Sequence, residues 1–146
     1  MTVTSLALLA ATMLQASDAA QSRLDRLEAC KATGLAAGAP IVVHGRLYAA
    51  NGGGSGYRIW PVGTKRLLWL SSRVDPALPE PIKEAFVPFE DVLYGDYTLL
   101  PLAPDRPGVM REVCLVGGRA LVKRNTFGAP GNAASPTSGG SPQRVR

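Results

Sequence analysis

Ile41-Val42-Val43-His44-Gly45-Arg46-Leu47-Tyr48-Ala49-Ala50 decides how this chain is read, because its side chains alternate with the period of a half-buried strand. Ile41, Val43, Leu47 and Ala49 fall on one face, and His44, Arg46 and Tyr48 on the other. The run Asn51-Gly52-Gly53-Gly54-Ser55-Gly56 then supplies a flexible connection, and Tyr57 to Val62 reads as the returning strand. Val62-Gly63-Thr64-Lys65 turns the chain again into a strand from Arg66 to Ser71. Connections this short make neighbouring strands antiparallel, since a parallel crossover needs a dozen residues or more. Pro61 cannot donate to a ladder and is expected at an edge or a bulge.

Beyond this meander the pattern changes. Prolines at 76, 79, 81 and 88 break regular structure, although Pro81 to Phe86 can form a helical turn with proline in its first position. Tyr94-Gly95-Asp96 reads as a turn between a short strand near Val92 and a strand from Tyr97 to Leu102. Pro104-Asp105-Arg106-Pro107-Gly108 is the strongest turn signal in the chain. It leads into Val109 to Val116, with Val109, Val113 and Leu115 on one face, and Gly117-Gly118 separates that strand from another at Ala120 to Lys123. The expectation is an all-β domain of six or seven strands, a small antiparallel β-sandwich or barrel, with an amino-terminal helix.

Outside residues 41–124 the chain has other properties. Leu6 to Ala11 and Thr12-Met13-Leu14 form an apolar run followed by small residues at Ser17 and Ala19, so residues 1–20 read as a signal peptide and the mature chain is expected to begin near Ala20. No Lys or Arg precedes that run. Residues 21–40 read as a short helix and linker, in which Ser17 or Asp18 caps the helix, Leu24, Leu27 and Cys30 share a face, and Gly34 ends it. Residues 125–146 are rich in Gly, Pro, Ser and Ala without periodicity and read as a disordered tail. The two cysteines, Cys30 and Cys114, are expected to form a disulfide in an oxidising, periplasmic or extracellular compartment, which would add a few kcal/mol, about 2 to 4, to a small core.

The segment from Val43 to Val116 resembles small exported bacterial proteins of unassigned function. The likeness rests on His44-Gly45-Arg46-Leu47, Asn51-Gly52, Arg58-Ile59-Trp60, Gly63-Thr64-Lys65-Arg66, Tyr94-Gly95-Asp96 and Pro104 to Gly108. The glycine run at 52–54 is longer than in that pattern. The resemblance implies one exported β-domain and no activity.

Charge falls in blocks. Thr33 to Val74 carries Arg46, Arg58, Lys65, Arg66 and Arg73 with no acid, Asp75 to Glu112 carries eight acids against three bases, and Val113 to Arg146 is again purely basic. Such blocks can neutralise one another across a sheet. They can also leave a basic face of Arg46, Arg58, Lys65 and Arg66 with Tyr48 and Trp60 interleaved, suited to an anionic envelope polymer, lipid head groups or another envelope protein. Nucleic acid is not expected, because the RNA-recognition aromatics, the helical readers and the zinc spacings are missing.

No catalytic, metal or cofactor set emerges. His44 is the only histidine, and two distant cysteines make no local zinc spacing. Glu90-Asp91 are adjacent and so point to opposite faces of a strand. Gly52 to Gly56 lacks the Lys-Ser/Thr ending of a phosphate-binding loop, and no serine stands in a nucleophile elbow. The expected function is a non-catalytic binding or structural module of the cell envelope. The alternative is a small hydrolase or isomerase using His44 with Asp96 or Asp105.

Overall fold

The computed structural model describes the backbone of residues 4–51 and 56–125, and the side chains of 18–51 and 56–124. The glycine loop, the tail beyond Asn125 and the side chains of the apolar leader lie outside the described residues. In chain order the elements are α1 (Thr4–Lys31), β1 (Ile41–Ala50), β2 (Gly56–Pro61), β3 (Leu68–Leu70), α2 (Glu80–Ala85), β4 (Asp91–Pro101) and β5 (Arg111–Asn125). The strands close into a barrel in the order β1-β2-β3-β5-β4, with β1 pairing back onto β4. A barrel therefore stands where a sandwich was the other expectation.

The pairing is mixed. β1 with β2, β1 with β4, β2 with β3 and β4 with β5 are antiparallel, but β3 runs parallel to β5, Leu68 opposite Arg111 and Leu70 opposite Val113. The all-antiparallel expectation fails at this pair because it is made between strands far apart in sequence. The chain reaches it only after α2 and β4 have been laid down, so no local turn announces it.

Glycines account for the strand count. Among the described residues there are five strands, since β4 runs unbroken through Tyr94-Gly95-Asp96 and β5 through Gly117-Gly118. Gly95 lies opposite Gly45 of β1. A Cβ at Gly95 would stand 2.7 Å from Leu121 Cδ2 and 2.9 Å from the Arg119 carbonyl, while one at Gly45 would stand 2.9 Å from Ile59 Cγ2. These glycines let the barrel wall fold tightly over its own filling rather than turn the chain. Gly117 and Gly118 likewise admit α1 and α2, with a Cβ 3.3 Å from Arg23 Cγ at the first and 3.0 Å from Ile82 Cδ1 at the second. Val109 does not join this strand and is 58% exposed.

Leu47, Ile59, Leu68, Leu70, Leu93, Tyr97, Leu99, Val113 and Leu115 of the strands form one apolar cluster, joined by Leu78, by Ile82 of α2 and by Phe86. Burying each such side chain contributes about 1.5–3 kcal/mol. The Tyr97 hydroxyl is kept in this dry interior by donating to the Leu93 carbonyl at 2.5 Å.

A second cluster lies outside the wall, under α1. Cys30, Val74, Leu100, Leu102, Cys114 and Val116 pack with Leu27, and Cys30 is disulfide-bonded to Cys114. The helix is longer than expected and begins at Thr4, so Ser17 and Asp18 lie within it rather than at its cap. Its docking face also differs, for Leu24 is 57% exposed. A helix turns 100° per residue, so steps of three drift off the face, and the stripe that packs is 23, 26, 27 and 30. Arg26 belongs to it, with Nε donating to the Leu115 carbonyl at 3.0 Å and Nη2 to the Ala77 carbonyl at 3.1 Å. Burial lowers the Arg26 pKa from its usual value, an effect that Asp75 opposes. Gly34 ends the helix turn with φ of 71°, as expected. Among the described residues no helix is long and apolar enough to cross a membrane.

Candidate binding face on the barrel wall

Alternation sets which side chains leave the barrel. In β1 the odd-numbered residues point inward with Leu47, so Arg46 and Tyr48 point outward, and in β2 the inward Ile59 leaves Arg58 and Trp60 outside. Register then brings them together: Arg46 pairs with Trp60 and Tyr48 with Arg58. On the other edge of β1, Arg46 pairs with Tyr94 of β4. Beyond these, Arg58 pairs with Trp69 of β3, and Arg124 of β5 lies over the Tyr94 ring at 5.3 Å. Cations and aromatic rings thus alternate along and across the wall.

At the centre the Arg46 guanidinium carbon lies 4.2 Å from the Trp60 ring centroid. Such a stack is worth about 0.5–1 kcal/mol at an exposed site. The ring is held in place, since the Trp60 indole N–H donates to the Thr64 carbonyl at 2.7 Å and the Thr64 hydroxyl donates to the Pro61 carbonyl at 3.0 Å. Two depressions flank the stack. One, of about 410 Å³, is lined by Arg46, Tyr48, Trp60, Phe89, Asp91 and Val92. The other, of about 270 Å³, lies among Arg46, Trp60, Val62, Thr64 and Tyr94.

Acids on this wall are mostly engaged by bases. Asp96 accepts from His44 Nδ1 at 2.9 Å and lies 3.5 Å from Arg119 Nε. Asp91 is 5% exposed, accepts the Val87 N–H at 2.9 Å and lies 3.5 Å from Lys123 Nζ. Glu90 adjoins it on the turn before β4. Across the wall Arg46, Arg58, Arg119, Lys123 and Arg124 outnumber Glu90, Asp91 and Asp96, so its net charge is positive.

Of the six binding residues expected from sequence, Arg46, Tyr48, Arg58 and Trp60 come together here. Lys65 and Arg66 instead sit in the β2–β3 turn, where they border a small separate depression with Leu67, Gly108, Val109 and Met110, and Arg66 forms an ion pair with Asp105. Tyr94, Phe89, Trp69 and Arg124 were not foreseen. Tyr94 was hidden by reading its glycine neighbour as a turn, Trp69 was open to the same alternation on the local β2–β3 hairpin, and Phe89 and Arg124 reach the wall only through the non-local β1–β4 and β4–β5 pairings.

For the catalytic alternative, the structure joins His44 to Asp96 and takes Asp105 away to Arg66. Ser71 lies beyond β3 with its hydroxyl accepting the Arg73 N–H at 3.2 Å. Neither depression flanking the Arg46 stack includes His44 or Asp96. Among the described residues no group of three His, Cys, Asp or Glu side chains is placed to hold a metal ion. No family model, curated protein or solved structure matches the chain.

Proposed function

We propose that the protein is a non-catalytic binding module of the cell envelope, and that the wall made by β4, β1 and β2 holds an anionic polymer. The observation that carries this reading is the Arg46 guanidinium stacked on Trp60 between two depressions, within a larger alternation of arginine and aromatic rings. A cation held by its face against a ring keeps its N–H donors directed sideways, toward a ligand lying along the wall. The apolar leader and the Cys30–Cys114 disulfide support an exported, oxidising address. The strand order, with a helix between β3 and β4, is similar to that of OB-type barrels, which host oligosaccharide and oligonucleotide binding alike. Fold alone does not assign a ligand, so the face must.

The test is equilibrium binding to dextran sulfate as ionic strength is raised. Affinity is expected to fall steeply as the screening length shortens from about 10 Å near 0.1 M to about 3 Å near 1 M salt. Replacing Arg46 and Arg58 together by Ser is expected to weaken binding by about tenfold or more without unfolding the domain. Removing residues 126–146, with Arg144 and Arg146, is expected to matter less. Binding indifferent to salt, or a double variant that simply unfolds, would show these arginines to be structural.

A further inference from the structure

Phe89 stands in the turn before β4 with φ of 68°, a left-handed backbone that suits glycine and disfavours a bulky side chain. The turn is firmly braced. The Asp91 N–H donates to the Val87 carbonyl at 3.0 Å, the Glu90 N–H to the same carbonyl at 3.3 Å, and the buried Asp91 carboxylate accepts the Val87 N–H in return. Packing does not explain the aromatic ring at this position. Phe86, three residues earlier, fills the core at 4% exposure and meets Tyr57 edge-on, whereas Phe89 is 50% exposed on the rim of the larger depression. A strained backbone that presents an apolar ring to solvent, at the edge of a groove already carrying Trp60 and Tyr48, points to a contact made with something else.

We infer that Phe89 is a specificity residue of the proposed binding face, and that the groove it borders takes the sugar rings of an acidic polysaccharide. The inference rests on the anionic-polymer reading and narrows it. Phe89, Trp60 and Tyr48 offer aromatic surface to the apolar C–H faces of pyranose rings, and Arg46 offers a planar fork of donors to a ring carboxylate. A polymer with charge but no rings would use the arginines and leave Phe89 idle. A membrane surface would not enter a groove between a strand face and a turn.

The experiment compares three probes on the full chain with its disulfide intact: an oligogalacturonate, a linear polyphosphate of matched charge, and phosphatidylglycerol vesicles. Phe89→Gly removes the ring and relieves the backbone, so its melting temperature is expected to stay level or rise. Its affinity for oligogalacturonate is expected to fall about tenfold or more, while its affinity for polyphosphate changes by less than about twofold. Phe89→Asn, which also tolerates a left-handed backbone, is expected to behave as Phe89→Gly does, and Phe89→Tyr to retain binding. Unchanged oligogalacturonate binding in Phe89→Gly, equal losses on both polymers, or a preference for vesicles would overturn the inference and leave the charge-based reading standing. Failure of the native protein to bind any anionic probe at low salt would overturn both.

Discussion

Gly95 and Arg46 show how differently single residues disclose themselves. Arg46 and Trp60 could be placed on an outward face from the alternation in their own strands, because period two is a local property. Gly95 could not, since a glycine marks a turn and a close approach with the same letter, and only the paired Gly45 and the nearby Arg119 carbonyl show which applies. The steric reading has a direct consequence. Gly95→Ala drives a methyl group into a backbone carbonyl at 2.9 Å, and unlike the flexible Leu121 tip that carbonyl cannot swing aside. Urea denaturation is expected to show a loss of about 1–3 kcal/mol. An unchanged midpoint would mean that the wall is looser than described.

At the scale of elements, β1 was legible end to end, with the expected bounds Ile41 to Ala50 matching the strand, and the short helix near Pro81 was found as α2. The helix α1 was legible only in part. The three-residue spacing of leucines suggested a face, but the docking stripe includes Arg23, whose stem lies over Gly117, and Arg26, whose head finds two carbonyls, and charge concealed them. What fastens α1 is the bond from Cys30 to Cys114, across 84 residues of chain. Replacing both cysteines by Ser is expected to lower stability by about 2–4 kcal/mol. Hydrogen exchange should then show α1 opening ahead of the barrel, because the barrel's own apolar cluster is distinct from the one beneath the helix. Loss of protection in the helix and barrel together would instead make them one cooperative unit.

Across the whole molecule, all-β character and the amino-terminal helix were readable, whereas closure and the parallel β3–β5 pair were not, because both depend on which distant strands meet. Tyr97 lies fully buried in that closed interior, and burial raises its hydroxyl pKa above the ordinary value near 10. An acid whose folded pKa is raised contributes stability that is complete below the unfolded pKa and is lost as pH rises toward the folded one. The melting temperature should therefore decline above pH about 10. Tyr97→Phe, at a cost of about 1 kcal/mol for the lost hydrogen bond, should flatten that decline. Identical alkaline profiles for the two proteins would assign the decline to other groups.

The cross-link and α1 occupy one part of the barrel exterior, over β5 and Leu100 of β4, while the arginine and aromatic alternation occupies another. This division makes the domain directional, in the way a plug has a socket side and a cable side. A bead, a fusion partner or a surface joined at Gln21, past the expected end of the leader, would grip the molecule on the side of its covered wall and leave the Arg46–Trp60 groove turned to the medium.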